Sequence, residues 1–179
     1  MAKKKVNLVG TANPDAHPLV LEVVELLRQR GQTVSFAESC TGGVLSAVLT
    51  RMPGCSDVFF GSVVAYSYAV KERLLGIPDS LLKTHGAVSL PVARKMATGG
   101  RKAMGSTWSV SITGIAGPGG GTAKKPVGTV CFGICGPGIE EAVQRQFSGS
   151  RREVQLASAR FALRLLRYSL RRDPGLSRV

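Results

Sequence analysis

Ligands for metal chemistry are scarce in this 179-residue chain, which has four cysteines and two histidines. Neither a CxxC nor an HExxH pattern occurs, so no metal site is expected. Cys131 and Cys135 form a CxxxC inside an apolar run, where strand geometry puts both on one face. Cys55, Cys131 and Cys135 read as small buried hydrophobes with free thiols, which suits a reducing compartment. Aromatics are few as well: one Trp and three Tyr, not interleaved with basic residues, make a poor platform for stacking nucleic-acid bases. No apolar run approaches the roughly 18 residues that a membrane span needs. The stretch after Lys3, Lys4 and Lys5 is broken at Asn7 and is too short for a signal peptide. A cytoplasmic protein with no membrane association is the expectation.

Acidic residues are also scarce, 11 against 24 Lys+Arg, for a formal net charge of +13. The excess is uneven: residues 1–90 hold 9 bases and 7 acids, a net +2, and residues 91–179 hold 15 and 4, a net +11. Such a charge fits a phosphate-bearing partner, whether nucleic acid or a small anionic substrate. Hydrophobic residues at 44% and charged residues at 20% supply a core and exclude the disordered class. One domain over residues 15–172 is expected, with a basic tail at 1–14 and a short tail at 173–179.

Periodicity alternates between helix and strand. Leu19, Val20, Val23, Val24, Leu26 and Leu27 recur at helical spacing after Asp15, and Gly31 supplies the stop. Thr33 to Ala37 alternates like a strand, and Gly42 and Gly43 open a second helix that ends before Pro53. Val58 to Tyr66 is nearly continuous apolar, the pattern of a strand buried on both faces. Short helices are expected around Lys71–Leu75 and Ser80–Lys83, with a longer one after Ser89. Thr107–Thr113 and Thr129–Cys135 read as strands joined by a Gly-rich loop, and Gly136, Pro137 and Gly138 turn into a last strand near Glu140–Phe147, forming an antiparallel hairpin. Ser150 to Glu153 is a capping box opening a final helix. Arg160, Arg164, Arg167 and Arg171 form one seam along it, read either as a solvated face or as a surface facing an anion or a partner. The pattern predicts an α/β fold, a three-layer α/β/α sandwich with a mixed, mainly parallel sheet.

Three segments could carry chemistry. Glu38 to Gly43 (ESCTGG) follows a strand and opens a helix, so a hydroxyl or thiol there sits where free amides can hold an oxyanion or a phosphate. Taken alone the run is also explained by a Ser/Thr cap followed by a Gly-Gly packing contact, and it is not the GxSxG elbow. Gly114 to Thr122 (GIAGPGGGT) lacks the ending of a Walker loop and does not fit GxGxxG. It is either a ligand-contacting loop or a connector, and Lys124 and Lys125 bring positive charge beside it. Lys71 could act as a base only if desolvated, since an ordinary lysine with a pKa of about 10.4 stays protonated at neutral pH; otherwise it is a solvated helix residue.

Taken together, ESCTGG, the run GSVVAYSYAVKERLLG from Gly61 to Gly76, HGAVSLP from His85 to Pro91 and TGIAGPGGGTAKKPVGTV from Thr113 to Val130 closely resemble the C-terminal domain of the CinA family. The resemblance covers roughly Leu19 to Leu170. It implies a metal-independent and cofactor-independent amidohydrolase that converts nicotinamide mononucleotide to nicotinic acid mononucleotide and ammonia. Under that resemblance Ser39 is the nucleophile and Lys71 its base, with oxyanion stabilisation from amides near Cys40, Thr41 and Gly42. Ser56 and Tyr66 match further polar positions, Ser56 being a rival nucleophile and Cys40 a second one. The substrate's phosphate and ribose would meet Gly117, Gly119 and Gly120 with help from Thr113 and from Lys125 or Arg151. The chain departs from the family pattern at Ser150, where an acidic residue is usual, and at Gln155, where an arginine is, which leaves room for a changed substrate preference. A homo-oligomer is expected and a nucleic-acid partner is not. The alternative is a catalytically altered member that binds nucleic acid or a protein through its basic surface.

Overall fold

A computed structural model describes residues 16–173; the tail expected over 1–14 and all but the first residue of that expected over 173–179 lie outside the described residues. Five strands, β1 (Val34–Glu38), β2 (Phe59–Val64), β3 (Trp108–Gly114), β4 (Thr129–Gly136) and β5 (Ile139–Gln146), form one sheet in the order β2-β1-β3-β4-β5. β1 runs parallel to both β2 and β3, whereas β3–β4 and β4–β5 are antiparallel. The sheet is therefore mixed, as expected, but its pairings divide evenly instead of being mainly parallel. The short Gly-Pro-Gly turn after β4 leaves no room for the crossover that a parallel neighbour needs.

Helices cover both faces. α1 (Ala16–Gln29), α2 (Val44–Thr50) and α6 (Arg151–Arg172) pack on one side; α3 (Tyr68–Leu75), α4 (Asp79–His85) and α5 (Leu90–Met104) pack on the other. The first layer meets Val34, Phe36, Trp108, Val110, Ile112, Phe132 and Ile134 of the sheet, each such buried side chain contributing about 1.5–3 kcal/mol. The second layer meets a flatter surface. Ser35, Ser109 and Ser111 are buried, and the Ser111 hydroxyl donates to the Ala93 carbonyl of α5 at 2.5 Å. A Cβ on Gly133 would run into that same carbonyl, and one on Gly100 would sit 2.8 Å from Ser109 Oγ. Small residues at these contacts let α5 lie close to the sheet.

β2 is an edge strand and is not buried on both faces. Val34 pairs with Phe59 and Ser35 with Gly61, so Phe60 is an extra residue in a bulge. The bulge shifts the alternation by one: Phe59 stacks on Phe36 at 5.1 Å, Val63 turns to the opposite core, and Phe60 and Val64 stay exposed. Gly61, at φ +132°, supplies a backbone conformation that other residues rarely adopt.

Candidate active site

The chain leaves β1 toward α2 on one face and leaves β2 toward α3 on the other, so the carboxyl ends of these adjacent parallel strands diverge. Such a switch point is where open α/β sheets place ligands. A cleft of about 280 Å³ opens there, walled by Ser39 and Cys40 after β1, Tyr66 after β2, Lys71 of α3, the 113–120 segment, Arg151 of α6, and Ala87 and Val88.

The turn from β1 into α2 is set by Glu38, which is fully buried. Its Oε2 accepts the amides of Gly43 and Leu45 at 3.0 and 3.1 Å, and its Oε1 accepts the amide and hydroxyl of Ser46 at 2.9 and 2.5 Å. The carboxylate thus caps α2 from the preceding strand, in place of the cap side chain that Gly43 lacks, and a negative charge there is favourable. The amides at the helix start are already occupied and do not form the free anion site that the sequence suggested. Gly42 and Gly43, at φ +59° and +102°, make so tight a turn possible.

Ser39 follows, and Lys71 Nζ lies 3.1 Å from its Oγ. Lys71 is 1% exposed. Its nitrogen also donates to the carbonyl of Ala65 at 2.6 Å and to that of Tyr66 at 3.4 Å. Burial holds its pKa below the ordinary lysine value, against a smaller upward pull from the Cys40 thiol. A neutral amine has two N–H donors and one lone pair. As an ammonium the nitrogen donates to all three oxygens; once it loses a proton, its two N–H groups can stay on the carbonyls and its lone pair can face the Ser39 hydroxyl, an arrangement that can serve a base and a nucleophile. Cys40 next to it is 6% exposed, and burial, above all, pushes its thiol up to about 12. It is therefore a thiol and not a thiolate near neutral pH.

Arg151 spans the cleft, donating through Nη1 to the Gly117 carbonyl and through Nη2 to the Tyr66 hydroxyl, both at 2.9 Å. Gly119 and Gly120 line the same wall. Thr113 also lines it, and its hydroxyl donates to the Ala87 carbonyl at 2.9 Å.

Four of the residues singled out from the sequence lie outside the lining. Ser56 is exposed in a 3₁₀ turn before β2, whereas the cleft lies beyond that strand's other end. Six residues of strand, about 20 Å, separate them, so Ser56 is not placed to act on a group held by Ser39. Lys125 directs its ammonium to the carbonyls of Val88 and His85 at 2.6 and 3.2 Å and clamps the cleft wall from behind. Thr41 is buried, and its hydroxyl has no hydrogen-bond partner among the described residues. The Gly42 amide donates to the Ser39 carbonyl at 3.0 Å, so of the amides expected to stabilise an oxyanion only those of Cys40 and Thr41 have no main-chain carbonyl as acceptor among the described residues. Sequence reasoning gave no role to Glu38, although it heads the ESCTGG motif, or to Ala87 and Val88, although HGAVSLP was already marked.

The arginine seam of α6 is partly neutralised: Arg167 contacts Glu22 of α1 at 3.0 Å and Arg171 pairs with the same carboxylate. Among the described residues no three His, Cys, Asp or Glu side chains gather as metal ligands, and no helix is long and apolar enough to cross a membrane.

Known proteins share this architecture and sequence. A CinA-like protein of Anaeromyxobacter sp. (strain K) is 53% identical over 149 residues, 83% of this chain and 36% of the relative. One from Prochlorococcus marinus is 49% identical over 152 residues, 84% of this chain and again 36% of the relative. The chain thus spans about a third of the length of these curated relatives. The crystal structure of a competence-damaged protein (CinA) superfamily protein from Klebsiella pneumoniae superposes with a TM-score of 0.84 at 33% identity, covering 88% of this chain and 98% of that one. The competence/damage inducible protein CihA from Agrobacterium tumefaciens gives 0.85 at 34%, covering 91% and 99%. The model of the CinA C-terminal domain matches residues 16–170, from the first described helix almost to the end of α6, and the chain belongs to the CinA family.

Proposed function

We propose that the protein is an amidohydrolase that converts nicotinamide mononucleotide to nicotinic acid mononucleotide and ammonia through an acyl-enzyme on Ser39. The observation that carries this reading is the buried Lys71 amine 3.1 Å from the Ser39 hydroxyl, with its other hydrogen-bonding directions on main-chain carbonyls. Membership of the CinA family supports the choice of substrate.

In the first half of the reaction Ser39 Oγ attacks the carboxamide carbon while Lys71 Nζ takes the hydroxyl proton. The tetrahedral oxyanion forms against the amides of Cys40 and Thr41. Lys71 returns its proton to the departing nitrogen, the C–N bond breaks and ammonia leaves. Water then attacks the ester carbon and gives a proton to Lys71. Collapse breaks the bond to Oγ, which recovers that proton, and the carboxylic acid is released. The residues of the 113–120 wall, together with the N–H groups of Arg151 not used on Gly117 and Tyr66, face the ribose and phosphate. Lys125 acts at one remove, by holding the Val88 wall.

Incubation of the purified chain with nicotinamide mononucleotide should release ammonia and the acid in equal amounts, and Ser39→Ala and Lys71→Ala should each lower kcat by at least about 10³-fold. No turnover by the intact chain, or full turnover by either variant, would refute the assignment. The reading as a binding protein acting through the α6 arginines draws on less, because two of the four already pair with Glu22.

A further inference from the structure

Gln155 lies half-buried on α6, one turn past Arg151, and its Nε2 donates to the Cys40 carbonyl at 2.8 Å. That carbonyl belongs to the same peptide plane as the N–H of Thr41. The Cys40–Thr41 peptide is trans, and in a trans peptide the C=O and N–H point in opposite directions. Fixing the Cys40 carbonyl therefore fixes the direction of the Thr41 amide. The preceding plane is held in the same way: the Ser39 carbonyl accepts the Gly42 amide at 3.0 Å, which sets the direction of the Cys40 N–H. Neither amide donates to a main-chain carbonyl among the described residues, and both stand beside a serine within hydrogen-bond distance of the buried Lys71 amine.

We infer that Gln155 is a positioning residue for the acyl transfer proposed above, holding the Cys40–Thr41 peptide so that the Thr41 amide is presented to the oxygen of the tetrahedral intermediate. The inference rests on that proposed function. Gln155 touches no substrate and acts only through the peptide. Its closeness to Arg151 on one helix face gives α6 two arms: Arg151 holds Tyr66 and Gly117, and Gln155 holds the nucleophile turn. A side chain without an N–H donor leaves the peptide free to rotate.

The test compares the full chain with Gln155→Leu, which removes the donor at similar size, and Gln155→Arg, which keeps one. Two readouts are used, turnover of nicotinamide mononucleotide and the rate at which a fluorophosphonate labels Ser39. In the labelling, Oγ forms a bond to phosphorus, fluoride leaves and the hydroxyl proton passes to Lys71, so it needs no amide substrate. Loss of a whole oxyanion donor costs about 10²–10³ in kcat; Gln155→Leu should therefore lower kcat and the labelling rate at least about tenfold with KM changed less than about twofold. Gln155→Arg should return both rates to within about threefold of the parent. Wild-type kcat in folded Gln155→Leu overturns the inference and leaves the proposed function standing. So does a fall in kcat that only follows the folded fraction, or one that Gln155→Arg does not recover. A parent chain that neither turns over nor labels overturns the proposed function and this inference with it.

Discussion

Replacing Glu38 by glutamine keeps the shape of a buried side chain and removes the charge that closes the β1–α2 turn. The parent carboxylate accepts from three main-chain amides and one hydroxyl. Glutamine offers one oxygen. Its best placement turns that oxygen to the amides of Gly43 and Leu45 and its NH₂ to Ser46, whose hydroxyl can rotate to accept. The Ser46 amide is then stranded. A buried amide without a partner costs about 1–3 kcal/mol, and losing the charge on the other two bonds costs about 1 kcal/mol each. The sum is about 3–5 kcal/mol, which in a domain of this size lowers Tm by about 6–20 °C. Denaturant unfolding of parent and Glu38→Gln, fitted with a common m-value, measures the difference directly. A loss below about 1 kcal/mol would show that water or a rearranged turn satisfies these amides and that the carboxylate does not set the site.

Two further predictions concern protonation. The proposed reaction needs Lys71 neutral, so kcat/KM should rise with pH through a midpoint below the ordinary lysine value of 10.5, because burial favours the uncharged amine; a pH–rate profile checks this, and a midpoint at or above that value would contradict it. The unfolded chain binds that proton more readily, so Lys71 should also make stability increase with pH between its folded and ordinary values, a slope that Lys71→Met removes. Cys40, pushed up to about 12, should resist iodoacetamide at about pH 8 in the folded chain, and Cys40→Ala should keep turnover within a few-fold; rapid alkylation followed by mass spectrometry would show a reactive thiolate instead.

Several of these features were readable in the chain, and the rest depend on contacts between distant segments. The capping box stands as expected, with Ser150 Oγ accepting the Glu153 amide and Glu153 accepting the Ser150 amide, because a cap is made by neighbours in sequence. The strand-turn-helix at ESCTGG was legible for the same reason. Whether Lys71 is solvated was not, since YAVKERLL fits a surface helix and its burial comes from where β2 delivers Ala65 and Tyr66. Apolar content misled at β2, where the run around Phe60 looked buried on both faces, because a bulge that changes the facing of side chains leaves composition untouched. Charge misled at Lys125, whose ammonium meets two carbonyls, one at the end of α4 and one in the loop after it, 40 and 37 residues away. The pairing of Arg167 and Arg171 with Glu22 likewise exists only once α1 lies against α6.

The order in which the chain is made adds one consequence. Ser39 and Lys71 are synthesised before Arg151 and Gln155, which hold the loops around them and belong to the last helix described. Domains generally fold as units during synthesis, so the struts from α6 become available only after Ser39 and Lys71 have been made. A polypeptide cut short before residue 151 keeps the serine, the lysine and the Glu38 turn but loses the contacts of Arg151 with Tyr66 and Gly117 and of Gln155 with the Cys40 carbonyl.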